Sequence, residues 1–114
     1  WNLLHPDQTP KKSYLEQALG GAEGPFIATS DNVKAVSEQL SPWIPGGLYC
    51  LGTDGFGRSE TRETLRRHFE IDAECTTIAA LYRLAKVGKF PIAEVAKAVK
   101  DLGVNPDKID PLIA

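Results

Sequence analysis

The stretch Leu48-Tyr49-Cys50-Leu51-Gly52-Thr53-Asp54-Gly55-Phe56-Gly57-Arg58-Ser59 decides the fold. Its first four residues form a short apolar run bounded by turn formers. That run is too short for a helix and reads as a buried strand, Leu48–Leu51. The three glycines that follow mark a tight turn, because glycine accepts positive φ and lets backbones approach closely. Working upstream, Gly24 and Pro25 open a second short run, Phe26–Thr29, which reads the same way. Between the runs, Val33, Val36 and Leu40 recur at i, i+3 and i+7, one face of a helix, with Ser30 and Asp31 as N-cap candidates. Pro42 and Pro45 end that helix, and Gly46-Gly47 turn the chain. This is a strand–helix–strand unit, whose natural closure is a right-handed crossover with parallel strands.

Downstream the pattern is helical. Ser59 reads as the cap of a helix reaching to about Phe69, with Glu60 in its first turn, where the helix dipole favours an acid. Asp72 caps the next helix, with Ile78, Leu81, Tyr82 and Ala85 as its apolar stripe and Gly88 as its stop. Pro91 opens a third, with Val95, Ala96, Val99 and Leu102 facing inward and Gly103 after its end. The tail Asn105–Ala114 is punctuated by proline and reads as extended. Upstream of the sheet, Ser13 and Glu16 form a capping box for a short helix to Leu19, stopped by Gly20 and Gly21. Residues Trp1–Lys12 carry two prolines and no period, and read as a strand end or connecting arm.

The class is therefore α/β with helices in excess of two strands. Two strands make a poor independent sheet, since both edges present unpaired N–H and C=O groups. The chain of 114 residues opens on Trp1 and contains no Met. Both features read as one thing: a cut inside a longer protein, with further strands upstream. The remaining composition is that of a soluble globular domain, 42% hydrophobic and 25% charged, with a formal net charge of −2. That balance argues against a nucleic-acid arm or a polybasic membrane anchor, so nucleic acid and membrane are not expected partners. No apolar run approaches a transmembrane span and no signal peptide is visible. Two cysteines are too few for a disulfide framework, and a reducing, cytoplasmic setting is the expectation.

The candidate chemistry is thin. The Gly52–Ser59 turn enters a helix and could cradle an anion with Arg58 adding charge. It lacks the full G-x-G-x-x-G spacing and any following Lys-Ser/Thr pair. The favoured reading is a structural turn, with Asp54 bonded to local backbone and Phe56 plugging an apolar gap. His5, in an extended segment, reads as hydrogen-bonded structure, and His68, after Arg66 and Arg67, as a solvated or interface residue. Neither has a second ligand at metal spacing. Cys50 lies in a strand. Cys75 lies in a helix's first turn, where a thiol pKa can fall, making it the better reactive candidate, but no base accompanies it. Both cysteines read as structural. The basic run Thr61–His68 reads as a surface salt-bridged through Glu60 and Glu63 to Arg66 and Arg67. Trp1 and Trp43 read as packing or subunit contacts.

Several stretches together resemble the C-terminal region of the homodimeric-type pyruvate dehydrogenases. They are Trp1–Pro6, the LGTDGFGRS run Leu51–Ser59 on to Arg62, His68–Ala73, the helix from Ala79 to Gly88, and the tail Asn105–Pro111. The resemblance covers nearly all of the chain. It implies a partial three-layer α/β/α, transketolase C-terminal-like domain over residues 1–114, lacking the first strands. It implies a parent oxidoreductase that decarboxylates pyruvate on thiamine diphosphate and Mg²⁺, in the pyruvate dehydrogenase complex downstream of glycolysis. That parent acetylates the lipoyl group of a dihydrolipoyl acetyltransferase. The implied partners are the rest of the parent chain and a second subunit. The resemblance puts no catalytic, cofactor-binding or metal-binding residue on this stretch, and the fragment alone is expected to be inactive. Two alternatives stand beside it. One is a small α/β binding module using turn 52–59 for an anionic ligand. The other is a three-helix interaction module over Ser59–Gly103.

Overall fold

A computed structural model describes all 114 residues. Strands β1 (Phe26–Thr29) and β2 (Leu48–Leu51) pair in parallel, with Phe26 opposite Leu48 and Thr29 opposite Leu51. The helices are α1 (Tyr14–Ala18), α2 (Lys34–Glu38), α3 (Arg62–His68), α4 (Ala73–Lys86) and α5 (Ile92–Asp101), with a 3-10 turn at Ser41–Trp43. Both expected strands, the parallel pairing and the order of helices are present.

The register explains the layers. Paired residues of parallel strands point to the same face, and faces alternate along a strand. Ile27, Thr29, Tyr49 and Leu51 therefore share one face. There the hydroxyls of Thr29 and Thr76 lie 3.0 Å apart, and Arg83 lies 5.5 Å from the Tyr49 ring, so α4 covers that face. Cys50 points to the other face, where α2 packs on β2. Helix, sheet and helix make three thin layers, and α5 packs against α4 beyond them.

Local signals account for most helix boundaries. Ser13 and Glu16 form a reciprocal capping box. Asp72 caps α4 by accepting from the N–H of Cys75 at 2.8 Å. Glu70 holds φ at +61°, and the N–H of Ile71 closes back to the carbonyl of Arg66 at 2.9 Å, the turn that usually ends a helix on glycine.

Several expectations are corrected. Neither Ser30 nor Asp31 caps α2: the Ser30 hydroxyl accepts from the N–H of Asn32 in a local turn, and the helix starts at Lys34. Ser59 does not cap α3: Thr61 does, through the N–H of Thr64, so Glu63 rather than Glu60 occupies the first turn. The strands are half-buried rather than buried, apart from Cys50, which is buried, and Thr29 and Tyr49, which are exposed. Tyr82 and Ala96 are exposed, and the best-buried residues of α4 are Cys75 and Ala79. The tail is not extended. Asn105-Pro106 and Asp110-Pro111 each start a turn, with the side chains of Asn105 and Asp110 accepting from the N–H groups of Asp107 and Leu112.

The core is small. Only eight residues are buried, and none of them is a charged or polar side chain. The radius of gyration is 17.2 Å; a compact domain of this length has about 13 Å. The accessible surface is 8126 Å², against roughly 6,100 Å² for a compact monomer of this mass.

Candidate functional site

The turn after β2 is tied to the start of α2. The N–H of Thr53 donates to the carbonyl of Asn32 at 3.0 Å, and the Thr53 hydroxyl donates to the carbonyl of Asp31 at 2.8 Å. Oδ1 of Asp54 accepts from the backbone N–H of Lys34 at 2.9 Å, and its Oδ2 lies 3.1 Å from Lys34 Nζ. Gly52 sits where a Cβ would come 2.6 Å from the carbonyl oxygen of Asn32, so only glycine fits. The backbone bond from Lys34 holds the Asp54 carboxyl below its ordinary value, outweighing desolvation, with the Lys34 ammonium adding to it. The same pairing raises Lys34.

Asp54 is thus bonded to backbone as expected, but across the sheet rather than within its own turn. Its partner Lys34 carried no signal in the sequence. The arrangement also bears on the anion-cradle reading. That reading places its anion at the start of α3, where the Thr61 hydroxyl accepts from the N–H of Thr64; the Asp54 carboxylate serves the start of α2 instead.

The tail closes on the turn from the other side. Gly55 has φ +106°, and the carbonyl of Pro111 lies against its α-carbon where a side chain would stand. Lys108 clasps the tail to the end of α3. Its Nζ lies 2.9 Å from Oε1 of Glu70 and donates to the carbonyls of His68 at 3.0 Å and Ile109 at 3.2 Å. Beneath the tail is an open cleft of about 420 Å³ at the C-terminal end of the sheet, walled by Leu51, Phe69, Ile78 and Val99. Ligands of parallel α/β sheets bind at this end. Here the two lysines that line the cleft are already paired, Lys34 with Asp54 and Lys108 with Glu70.

Phe56 does not plug an apolar gap. It is 79% exposed, because Gly55 is held by the tail and turns the next residue outward. Arg58 is exposed and makes no ion pair. Arg67 pairs with Asp72 and, at 3.2 Å, with Glu74, not with Glu60 or Glu63, because its side chain reaches across the α3–α4 turn. It also donates to the carbonyl of Gly103 at 3.1 Å, joining three helices.

The remaining candidates are separated. Nδ1 of His5 lies 2.9 Å from the Trp1 carbonyl, and its ring stacks on the Trp1 indole at 4.3 Å, a local structural contact. His68 is not a solvated surface residue. It is half-buried, its Nε2 is buried without a partner, and its ring meets Phe69 edge-on. Burial, with Arg58 and Lys108 nearby, pushes its pKa down, so the ring is neutral. Cys75 departs from the expected helix-end effect. Burial, and then the Asp72 carboxylate, push its thiol up to about 12. Burial also raises Cys50. Both are free, buried thiols and behave as small apolar residues. The site holds no activated nucleophile, no carboxylate–histidine pair and no cluster of three acids, histidines or cysteines suited to a metal. The chain has no helix long and apolar enough to cross a membrane.

Comparison with known proteins agrees with this architecture. The family of transketolase-like TK C-terminal domains matches residues 1–72. Over 113 residues the chain is 48% identical to the pyruvate dehydrogenase E1 component of Pseudomonas aeruginosa, covering 98% of this chain and 13% of that protein. It is 46% identical over 115 residues to the pyruvate dehydrogenase E1 component of Haemophilus influenzae and 44% identical over 115 residues to that of Escherichia coli K12. Each match covers 100% of this chain and 13% of the relative. The chain therefore spans about an eighth of the length of the curated relatives it matches. With its parallel strand–helix–strand unit, its helix-covered sheet and the family match over residues 1–72, the chain belongs to the transketolase-like C-terminal domain family.

Proposed function

We propose that this chain is the C-terminal domain of a homodimeric, thiamine-diphosphate-dependent pyruvate dehydrogenase and that its role there is architectural. The observation that carries the reading is the 44–48% identity to pyruvate dehydrogenase E1 components across nearly the whole chain. In this reading the longer polypeptide decarboxylates pyruvate and passes the acetyl group to the lipoyl arm of a dihydrolipoyl acetyltransferase. The chain packs on the other domains and supports the dimer. Its expected setting is the cytoplasm.

The residues present here do not fit the cofactor of that reaction. A diphosphate-bound Mg²⁺ needs several oxygen ligands converging on one point. Three acids line the cleft: Asp54 and Glu70 are each paired with a lysine, and Asp110 accepts from the backbone N–H of Leu112 within its own turn. Thiamine chemistry is therefore assigned to other parts of the polypeptide, and no step is routed through these positions.

The test is pyruvate-dependent reduction of ferricyanide by the full-length polypeptide, with and without thiamine diphosphate and Mg²⁺. Thiamine-dependent turnover is expected. Its absence in a folded, cofactor-supplied protein would overturn the reading.

A further inference from the structure

His68 sits at the joint between α3 and the tail, in a place built for a neutral ring. Its Nε2 is buried and has no hydrogen-bond partner. In a protonated imidazole both nitrogens are donors, so a charged ring here would bury an N–H with no acceptor. The surrounding charges add to that cost. Arg58 of the β2 turn and Lys108 of the tail both oppose a positive ring. Glu70 is the acid that favours one, and it is already the partner of Lys108 at 2.9 Å. Arg66 and Arg67 share the last turn of α3 with His68, and Arg67 is committed to Asp72 and Glu74. A helix C-terminus ordinarily welcomes a cation through its free carbonyls. The carbonyl of His68 is taken by the Lys108 ammonium at 3.0 Å.

The same residues fasten the tail. Lys108 reaches from the tail to the His68 carbonyl and the Glu70 carboxylate, and the Pro111 carbonyl lies against Gly55 as a second tie. Pro106, Pro111 and Leu112 of the tail close one side of the cleft of about 420 Å³.

We propose that residues 105–114 form an acid-released strap over the cleft at the C-terminal end of the sheet, with His68 as its trigger and Lys108 as its clasp. A proton on His68 draws Glu70 away from Lys108 and repels the ammonium that sits on its own carbonyl. Both effects weaken the clasp. With the strap open, the apolar walls Leu51, Phe69, Ile78 and Val99 meet water and Gly55 loses the Pro111 carbonyl.

The direction of the switch follows from the two states of the ring. With the strap closed, burial and the two cations hold His68 below its ordinary value of 6.5. With the strap open, the ring meets water and titrates near that value. The open state therefore takes the proton first. Closure is favoured most above about pH 6.5 and is lost as pH falls toward the lowered value, the opening constant rising by up to about tenfold per pH unit. His5 cannot supply this effect, since its ring is bonded to the Trp1 carbonyl in the N-terminal arm. The proposal stands on the geometry of this chain and holds whether or not the longer polypeptide turns over pyruvate.

The test is hydrogen exchange of the full-length polypeptide at about pH 7.5 and about pH 5.5, either side of the ordinary histidine value. Rates are divided by those of an unstructured peptide at the same pH, which removes the intrinsic pH dependence of exchange. The reporting amides are Lys108 and Ile113, bonded to the carbonyls of Asn105 and Asp110, with Asp107 and Leu112 beside them. Protection of the tail is expected to fall roughly fivefold to tenfold at the lower pH, while β1 and β2 stay unchanged. His68→Gln should abolish that step, and His5→Gln should leave it intact. Lys108→Met should give low protection at both pH values, because the clasp is gone before the proton arrives. A change in wild type below about twofold would overturn the proposal. So would a step that persists in His68→Gln, which would assign it to the carboxylates, or one that persists in Lys108→Met. Should His68→Gln fail to fold, wild type against Lys108→Met and His5→Gln decides in the same sense.

Discussion

The carboxylate of Asp54 caps a helix twenty residues away in sequence, accepting from the first N–H of α2, that of Lys34, at 2.9 Å while pairing with the same residue's ammonium at 3.1 Å. One side chain thus joins the end of β2 to the start of the crossover helix. It satisfies a donor at the helix start that has no partner within α2.

Replacing Asp54 with Ala should lower stability by about 1 kcal/mol, the usual cost of losing a helix cap. Asp54→Asn keeps an acceptor and should lose less. The carboxyl titrates below its ordinary value in the folded state, so its contribution is present above the unfolded value, about 3.9. It is lost as pH falls through the folded one. Thermal melts should separate wild type from Asp54→Ala at pH 7 and bring them together as the pH falls below the ordinary carboxylate range.

Gly55 and Gly57 differ sharply as substitution sites. Gly55 has φ +106° and the Pro111 carbonyl against its α-carbon, whereas nothing lies near Gly57. Gly55→Ala should cost about 2 kcal/mol or more through backbone strain and a displaced tail. Gly57→Ala should fall within about 0.5 kcal/mol. Chemical denaturation of the two variants checks this.

Lys108 holds the tail at three oxygens, and its side chain is largely shielded from water. Lys108→Ala should release residues 105–114, costing about 1 to 2 kcal/mol for charge-assisted hydrogen bonds. Hydrogen exchange should quicken in that segment and at the end of α3, while β1 and β2 stay unchanged. Unaltered exchange in the tail would show that Gly55 and Pro111 hold it alone.

Cys75 should resist alkylation in the folded protein at neutral pH. Its thiol is pushed up to about 12, above the ordinary value of 9.0. The folded state therefore holds a proton that the unfolded state releases in this range. Stability should fall as pH rises from about 9 toward about 12, by up to about 1.4 kcal/mol per unit from this group. Cys75→Ala should flatten that alkaline slope in denaturation profiles.

What the sequence revealed was whatever local chemistry decides. The four-residue strands, the Ser13–Glu16 box, the Asp72 cap and the glycine stops all depend on neighbours within a few residues. What it hid depends on distant contacts. Asp54 displaces Ser30 and Asp31 as the cap of α2 because the β2 turn lies over that helix start. Phe56 faces water because the tail occupies the other side of Gly55. Glu70 takes a positive φ usually left to glycine, and Lys108 gives no sign of its grip on α3 until the chain folds back. The α2 stripe was legible as apolar periodicity. Its outward direction, with Val33, Val36 and Leu40 all exposed, was not, since periodicity gives a face but no bearing. At the candidate site, sequence signalled the glycine turn and missed Lys34, which pairs with Asp54, and Lys108, which pairs with Glu70.

The central claim is that these residues support a catalyst without performing its chemistry. Its most direct test is kcat for thiamine-dependent pyruvate turnover by the full-length polypeptide, wild type against His68→Gln. His68 is the one titratable side chain with a buried, unpartnered atom. The account predicts turnover in both, with kcat within about twofold, whereas losing a general acid–base group costs roughly 100-fold or more. A loss of that size with the dimer and bound cofactor intact, or no thiamine-dependent turnover in the wild type, would contradict it.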